Sequence, residues 1–241
     1  MQYFLDTTGT IPENVGFSHF GQLHFVWLIL FAVITVANSI WYRKLSDAEK
    51  SLWKKIIAAL LVLDELFKTV MLFVGGRFTF DYLPLHLCSI NIFLILLHAF
   101  RPTKTLNSFL YTVCIPGALA ALLFPSWTAL PLGNFMHLHS FTVHILLAMY
   151  PIVLFISGEI APSIKDLPKC LLLLVAMAIP IYGINLLLNT NFMFLMQADP
   201  GNPLLVFEEL WGNHLYGYPV IIAAVIAVLY LPLGIYRKMK K

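Results

Sequence analysis

The sequence predicts an all-α membrane protein, a polytopic helical bundle with about seven transmembrane helices, its amino terminus outside and its carboxyl terminus inside. Three observations carry this. The chain is 60% hydrophobic and only 11% charged, with a mean hydropathy of +0.84, too apolar for a soluble domain of this length to cover its own surface. Its apolar runs far exceed the ~10 residues of a barrel strand, and a bilayer admits only helices or closed barrels. Finally, thirteen of the fifteen Lys and Arg residues fall in alternate loops between those runs.

The spans expected in order are residues 23 to 42, 54 to 74, 84 to 100, 106 to 124, 136 to 157, 169 to 188 and 215 to 236, each near the ~17 to 25 residues that cross a bilayer. Turn chemistry separates them: Gly75-Gly76, Arg101-Pro102, Phe124-Pro125-Ser126, Gly158 to Pro162, and Asp199-Pro200-Gly201-Asn202-Pro203. Pro116-Gly117 predicts a kink in span four. The stretch from Asn189 to His214 leaves room for an interfacial or re-entrant helix around Leu204 to Trp211. The whole chain, 1–241, reads as one integral membrane domain.

Arg43, Lys44, Lys50, Lys54 and Lys55, then Arg101 and Lys104, then Lys165 and Lys169, and last Arg237, Lys238, Lys240 and Lys241 share one side. Basic residues beside spans are retained in the cytoplasm, so that side is inside and the number of spans is odd. The other side has Arg77, while Lys68 lies within span two. With this orientation His19, His24, His86, His137, His139, His144 and His214 fall in the outer half and His98 near the inner end.

Some classes are excluded at this point. Met1 to Phe20 lacks a basic segment and a small-residue cleavage site and carries Asp6 and Glu13, so no cleaved signal peptide is expected. Cys88, Cys114 and Cys170 are widely spaced beside apolar runs, which argues against a disulfide framework or a CxxC site. No basic patch with interleaved aromatics points to nucleic acid. No cofactor is expected, and the oligomeric state stays open.

Span two carries Asp64, Glu65 and Lys68. Each such charge costs about 2.5 to 3.5 kcal/mol at a helix centre in hydrocarbon, so these side chains must face protein or water. Spaced three and four apart, with the acids on the N-terminal side, either carboxylate can pair with Lys68. This face is either a self-neutralised structural pair or a carboxylate that orients a histidine or binds a headgroup.

Span three opens Leu83-Pro84-Leu85-His86-Leu87-Cys88-Ser89-Ile90-Asn91. Proline suits a first helical turn, so the helix is expected to begin there, with Cys88 roughly 6 Å below its outer end. Thiolate is the nucleophilic form of cysteine and is favoured near a helix N-terminus or an imidazolium. Cys114 and Cys170 lack polar neighbours at helical spacing and read as packing residues. In a regular helix His86 would point away from Cys88, so a base must come from another helix. Span five offers Met136-His137-Leu138-His139-Ser140-Phe141-Thr142-Val143-His144. His86, His139, His144 and Glu65 could alternatively hold zinc, although no HxxxH or HExxH spacing supports it. At the outer end of span six, Asn185, Asn189, Thr190 and Asn191 offer amides for a headgroup or an oxyanion, or else a helix cap and turn.

Leu83 to Cys88, Phe17-Ser18 and His24 opening span one, the His144 span, and Asn189-Thr190-Asn191-Phe192-Met193-Phe194-Leu195 together resemble the YwaF-like integral membrane family. The resemblance runs over nearly the whole chain, and LPLHLC is its most specific part. That family is related to the eukaryotic transmembrane protein 164 family, described as cysteine-dependent acyltransferases that load polyunsaturated acyl chains onto lyso ether phospholipids. The resemblance implies that Cys88 is the nucleophile and His144 the span-five histidine. Where bacterial relatives often carry a basic Cys-Arg-Lys-Pro stretch, this chain has Met196-Gln197-Ala198-Asp199-Pro200, which lacks the cations an anionic headgroup would meet.

The resulting expectation is a cysteine-dependent acyltransferase or lipid acyl hydrolase of a bacterial-type plasma membrane, acting on outer-leaflet lipid as its partner. Cys88 would be the nucleophile, His144 or else His139 the base, Glu65 or Asp64 its orienter, and His86 with Asn91 the groups around the oxyanion. Asn91, Asn189, Asn191, Lys68, Asp64 and His24 are the expected substrate contacts. The alternatives are a small-molecule carrier or ligand-binding membrane protein with an outward-facing polar cavity, a histidine-ligated metal-dependent lipid hydrolase, and a non-catalytic scaffold.

Overall fold

A computed structural model describes residues 2–198 and 203–239, with side chains to residue 235 at the carboxyl end. The turn expected at Asp199 to Asn202, the last two lysines, and the side chains of Arg237 and Lys238 lie outside the described residues. Within them the chain is helical, without a strand. The helices are α1 (Gln22–Tyr42), α2 (Asp47–Val74), α3 (Leu87–Phe100), α4 (Lys104–Phe109), α5 (Ile115–Leu123), α6 (Phe135–Ile156), α7 (Leu167–Leu188), α8 (Leu204–Trp211) and α9 (Gly217–Met239). Among the described residues six helical segments are long and apolar enough to cross a membrane. The α2 helix, 28 residues long, is outside that set because it carries its charges along its length.

Local chemistry explains the ends of α2. Ser46 and Glu49 form a reciprocal capping box at its start, each side chain bonded to the other's backbone N–H. At its end Gly76 adopts φ +63° and the Arg77 N–H returns to the Leu72 carbonyl at 2.8 Å, the αL closure that glycine permits. The inward stripe is Leu61, Glu65, Lys68 and Leu72, so the charges do turn away from lipid.

The long helices alternate in direction. At one end the His24 ring meets the Leu122 carbonyl, Phe17 N–H meets Thr128, Asn134 binds the Tyr3 and Asp6 carbonyls, and Arg77 reaches Asp6. At the other end Tyr42 and Lys54 converge on Glu159, His98 bonds Asn107, and Ser108 bonds Asp166. The basic loops after α1, α3 and α6 all lie at this second end.

The α6 helix is central, with both His137 and Tyr150 fully enclosed, and α1, α2, α3 and α5 pack around it. By contrast α7 buries Leu167, Cys170, Ile181 and Asn185, near its two ends, and leaves its middle to lipid.

Two expectations change in detail. Span three does not begin at Pro84. A 3-10 turn (Phe80–Tyr82) and a further turn precede α3, whose N-cap is His86 with extended backbone, and the His86 ring lies against the segment that follows α7. Span four is interrupted by a π segment, Leu110–Cys114, before Pro116. Proline has no N–H and clashes with the carbonyl four residues back, and the wider turn, with Ile115 N–H bonded to the Leu110 carbonyl, accommodates it.

Candidate functional site

Asp64, Glu65 and Lys68 reach inward from α2 toward His139 of α6. Lys68 Nζ and Glu65 form a buried ion pair. His139 places Nδ1 3.2 Å from Asp64 Oδ2 and Nε2 3.8 Å from Glu65 Oε2, so each face of its ring edge meets a carboxylate. The alignment is too poor for hydrogen bonds: Asp64 Oδ2, Glu65 Oε2 and His139 Nδ1 are buried without a partner, as is Asn91 Oδ1 on α3. Leaving such groups unpaired in a low-dielectric interior is costly. The two carboxylates and His139 form a polar site able to satisfy a bound polar group.

Cys88 is the second residue of α3, partly buried and packed on the core. Its thiol makes no hydrogen bond to any described group, an imidazole included. Its depth follows from register. α3 and α6 run the same way, and His98 Nδ1 meets the Tyr150 hydroxyl at 2.8 Å. About ten residues, or roughly 15 Å, back along each helix are Cys88 and Ser140. Cys88 is also within electrostatic reach of Cys114, whose thiol donates to the Leu147 carbonyl at 3.4 Å, one turn below His144. The thiol therefore shares a level with the Ser140 to His144 turn. As His86 makes no side-chain cap bond, the first amides of α3, including that of Cys88, remain available as donors.

His144 bonds Nδ1–H to the Ser140 carbonyl at 2.6 Å and stacks on Trp127, with ring centroids 5.2 Å apart. A carbonyl can only accept, so Nε2 carries the lone pair, the form a general base needs. His139 and Asp64 are within electrostatic reach of this ring.

Other expected contacts serve the scaffold. His24 receives the Phe20 N–H at 2.8 Å and donates to Leu122 at 2.7 Å, which uses both ring nitrogens. Asn189 is the αL cap of α7. Asn191 folds onto its own loop, receiving the Met196 and Gln197 N–H groups and donating to the Gln197 carbonyl. His137 is likewise occupied by Trp27 and the Leu130 carbonyl. The zinc set of His86, His139, His144 and Glu65 is not assembled: among the described residues no group of three or more His, Cys, Asp or Glu side chains could hold a metal ion.

A family model, that of the TMEM164 family, matches residues 19–231. The chain belongs to the TMEM164 family. Comparison with curated proteins and with solved structures gave no match. In this TMEM164 chain the matched region takes in every residue of the polar site, from α2 through α6, as well as the segment after α7.

Sequence reasoning missed two participants, Trp127 and Glu159, and saw a third, Asn185, without its partners. Trp127 comes from the loop before α6, and its buried Nε1 has no partner. Glu159 unites Tyr42 and Lys54 at the end of the bundle that carries the basic loops. Asn185, fully enclosed, receives the Phe192 N–H and the Thr190 hydroxyl and donates to the Phe192 carbonyl. Its position one turn before the cap was legible, but the return of the chain over it was not.

Proposed function

We propose that this TMEM164-family protein is a membrane-embedded acyltransferase, able to act as an acyl hydrolase when water replaces the acceptor. The observation that supports the reading is that a thiol at an uncapped helix start lies at the same depth as an imidazole whose Nε2 carries a lone pair. The His144 Nε2 takes the Cys88 proton as sulfur attacks the ester carbonyl of a lipid. The S–C bond forms, the C–O bond breaks, and the alcohol leaves with that proton. An acceptor hydroxyl then attacks the thioester, gives its proton to the imidazole, and returns the thiol. The α3 amides stabilise the tetrahedral oxyanion, while Asp64 and Glu65 orient His139 beside the base.

A thiol below the outer end of the bundle suits a substrate that enters laterally from lipid. The orientation adopted is amino terminus outside, with α2 crossing as a charged, inward-facing span to make seven. This places the site in the outer half of a cell membrane.

The test uses the full chain in vesicles with a phospholipid carrying a labelled acyl chain and a lysophospholipid acceptor. Acyl transfer with a thioester adduct on Cys88, lost in both Cys88→Ala and Cys88→Ser, is the expected result. Undiminished transfer in both variants overturns the reading. Solute uptake that survives Cys88→Ala but disappears in Glu65→Gln would instead establish a carrier.

A further inference from the structure

The segment between α7 and α8 bears strain that a plain connector does not need. Asn189, Met193 and Phe194 all have positive φ, at 52°, 57° and 53°, a region that side chains other than glycine rarely occupy. The surroundings hold this shape from several sides. Asn185 grips Phe192 through both its N–H and its carbonyl. The Tyr218 hydroxyl, from α9, donates to the Met193 carbonyl at 2.6 Å, and His214 meets the Phe194 carbonyl at 3.0 Å. What the segment then touches is His86. Phe192 and Phe194 flank that ring at 5.3 and 5.7 Å, and the Met193 N–H points at its Nδ1 from 3.3 Å.

An amide N–H can only donate. Nδ1 therefore carries the lone pair, and the neutral ring has its proton on Nε2. His86 is the N-cap of α3, two residues from Cys88. We propose that residues 189–195 form a strap that holds His86 as the Nε2–H tautomer, a hydrogen-bond donor for the acyl carbonyl oxygen, with Asn185 and Tyr218 as its positioning residues. This rests on the acyl-transfer reading and assigns His86 the opposite role to His144: the strap amide makes one ring a donor at Nε2, and the Ser140 carbonyl makes the other an acceptor there. Oxygen accepts this N–H as the tetrahedral adduct forms, and no proton changes owner at His86.

Nitrogen NMR on the full chain labelled at histidine, in lipid nanodiscs, reads the tautomer directly, with the His86 signals assigned by their loss in His86→Gln. A bare Nδ1 and a protonated Nε2 are expected in the unmodified protein; a protonated Nδ1 overturns the inference. Acyl transfer should fall about a hundredfold in His86→Ala and recover most of that in His86→Gln, which keeps an N–H near the same place. Tyr218→Phe should split the His86 signals between tautomers and lower turnover about tenfold. Unaltered signals and turnover in Tyr218→Phe would remove the strap's role. If the tautomer is as expected but no acyl group ever reaches Cys88, the acyl-transfer reading is what fails, and the donor role fails with it.

Discussion

His144 lies nearly parallel to the Trp127 indole, with planes 12° apart, while its Nδ1–H is held by Ser140. The two contacts leave Nε2 as the only part of the ring free to turn toward a substrate or a thiol. His144→Ala is expected to reduce acyl transfer by about 10² to 10⁴. Trp127→Leu should cost about tenfold, mainly in kcat, since it loosens the ring without removing it. A Trp127 variant with unchanged kcat would show that the stack is packing alone.

Asp64→Asn separates the two possible bases. If His144 is the base, neutralising Asp64 acts on it only from a distance and through the neighbouring His139, and should lower turnover by about tenfold or less. If His139 is the base, that carboxylate is its orienter and a loss of about 10³ or more should follow, by analogy with other oriented imidazoles. Steady-state rates of Asp64→Asn and the parent decide between these.

Lys68 and Glu65 form an ion pair with side chains only 7% and 8% exposed. Lys68→Met leaves a buried carboxylate unpaired and should destabilise the protein by about 3 to 5 kcal/mol. The double variant Glu65→Leu with Lys68→Met should recover most of that. Thermal unfolding in detergent checks both, and a single variant as stable as the parent would contradict the buried pairing.

Glu159 gives a pH dependence. Burial pushes its carboxyl up, but hydrogen bonds from Lys54 and Tyr42 outweigh this and hold it below the ordinary carboxylate range. Because the folded value is depressed, the stabilisation is complete above the unfolded value, about 4.3, and disappears as pH falls through the folded one. Unfolding temperature should be flat from neutral pH down to about 5 and then drop, and Glu159→Gln should flatten that drop. A parent curve with no acid limb attributable to Glu159 would negate the linkage.

Topology can be read with single cysteines and a membrane-impermeant maleimide. Ser126→Cys, in the exposed loop before α6, should label from outside intact cells. Lys44→Cys, after α1, should label only after permeabilisation. The reverse pattern would invert the bundle and move the site to the inner leaflet.

How far the sequence reached can be judged element by element. The helical class and the helix positions were legible because lipid as solvent forces long apolar runs to close their own backbone hydrogen bonds. The inward turn of Asp64, Glu65 and Lys68 was legible for the same reason, since hydrocarbon makes the outward alternative too costly. The start of α3 was misplaced because Pro84 fits a turn as well as a first helical turn, and only contact with the strap distinguishes them.

The site divides along the same line. Composition and spacing by themselves pointed to a thiol, imidazoles and carboxylates toward the end of a helical bundle opposite its basic loops. Which imidazole offers a lone pair and which an N–H was decided only by the tertiary structure. His24, His137 and His144 look alike as letters in an apolar run, and what separates them is the group that meets each ring nitrogen, from the Ser140 carbonyl one turn back for His144 to the Leu122 carbonyl 98 residues away for His24. Tautomers follow from partners, and the partners here lie as far as 110 residues away, as Trp27 does from His137, or 107, as Met193 does from His86.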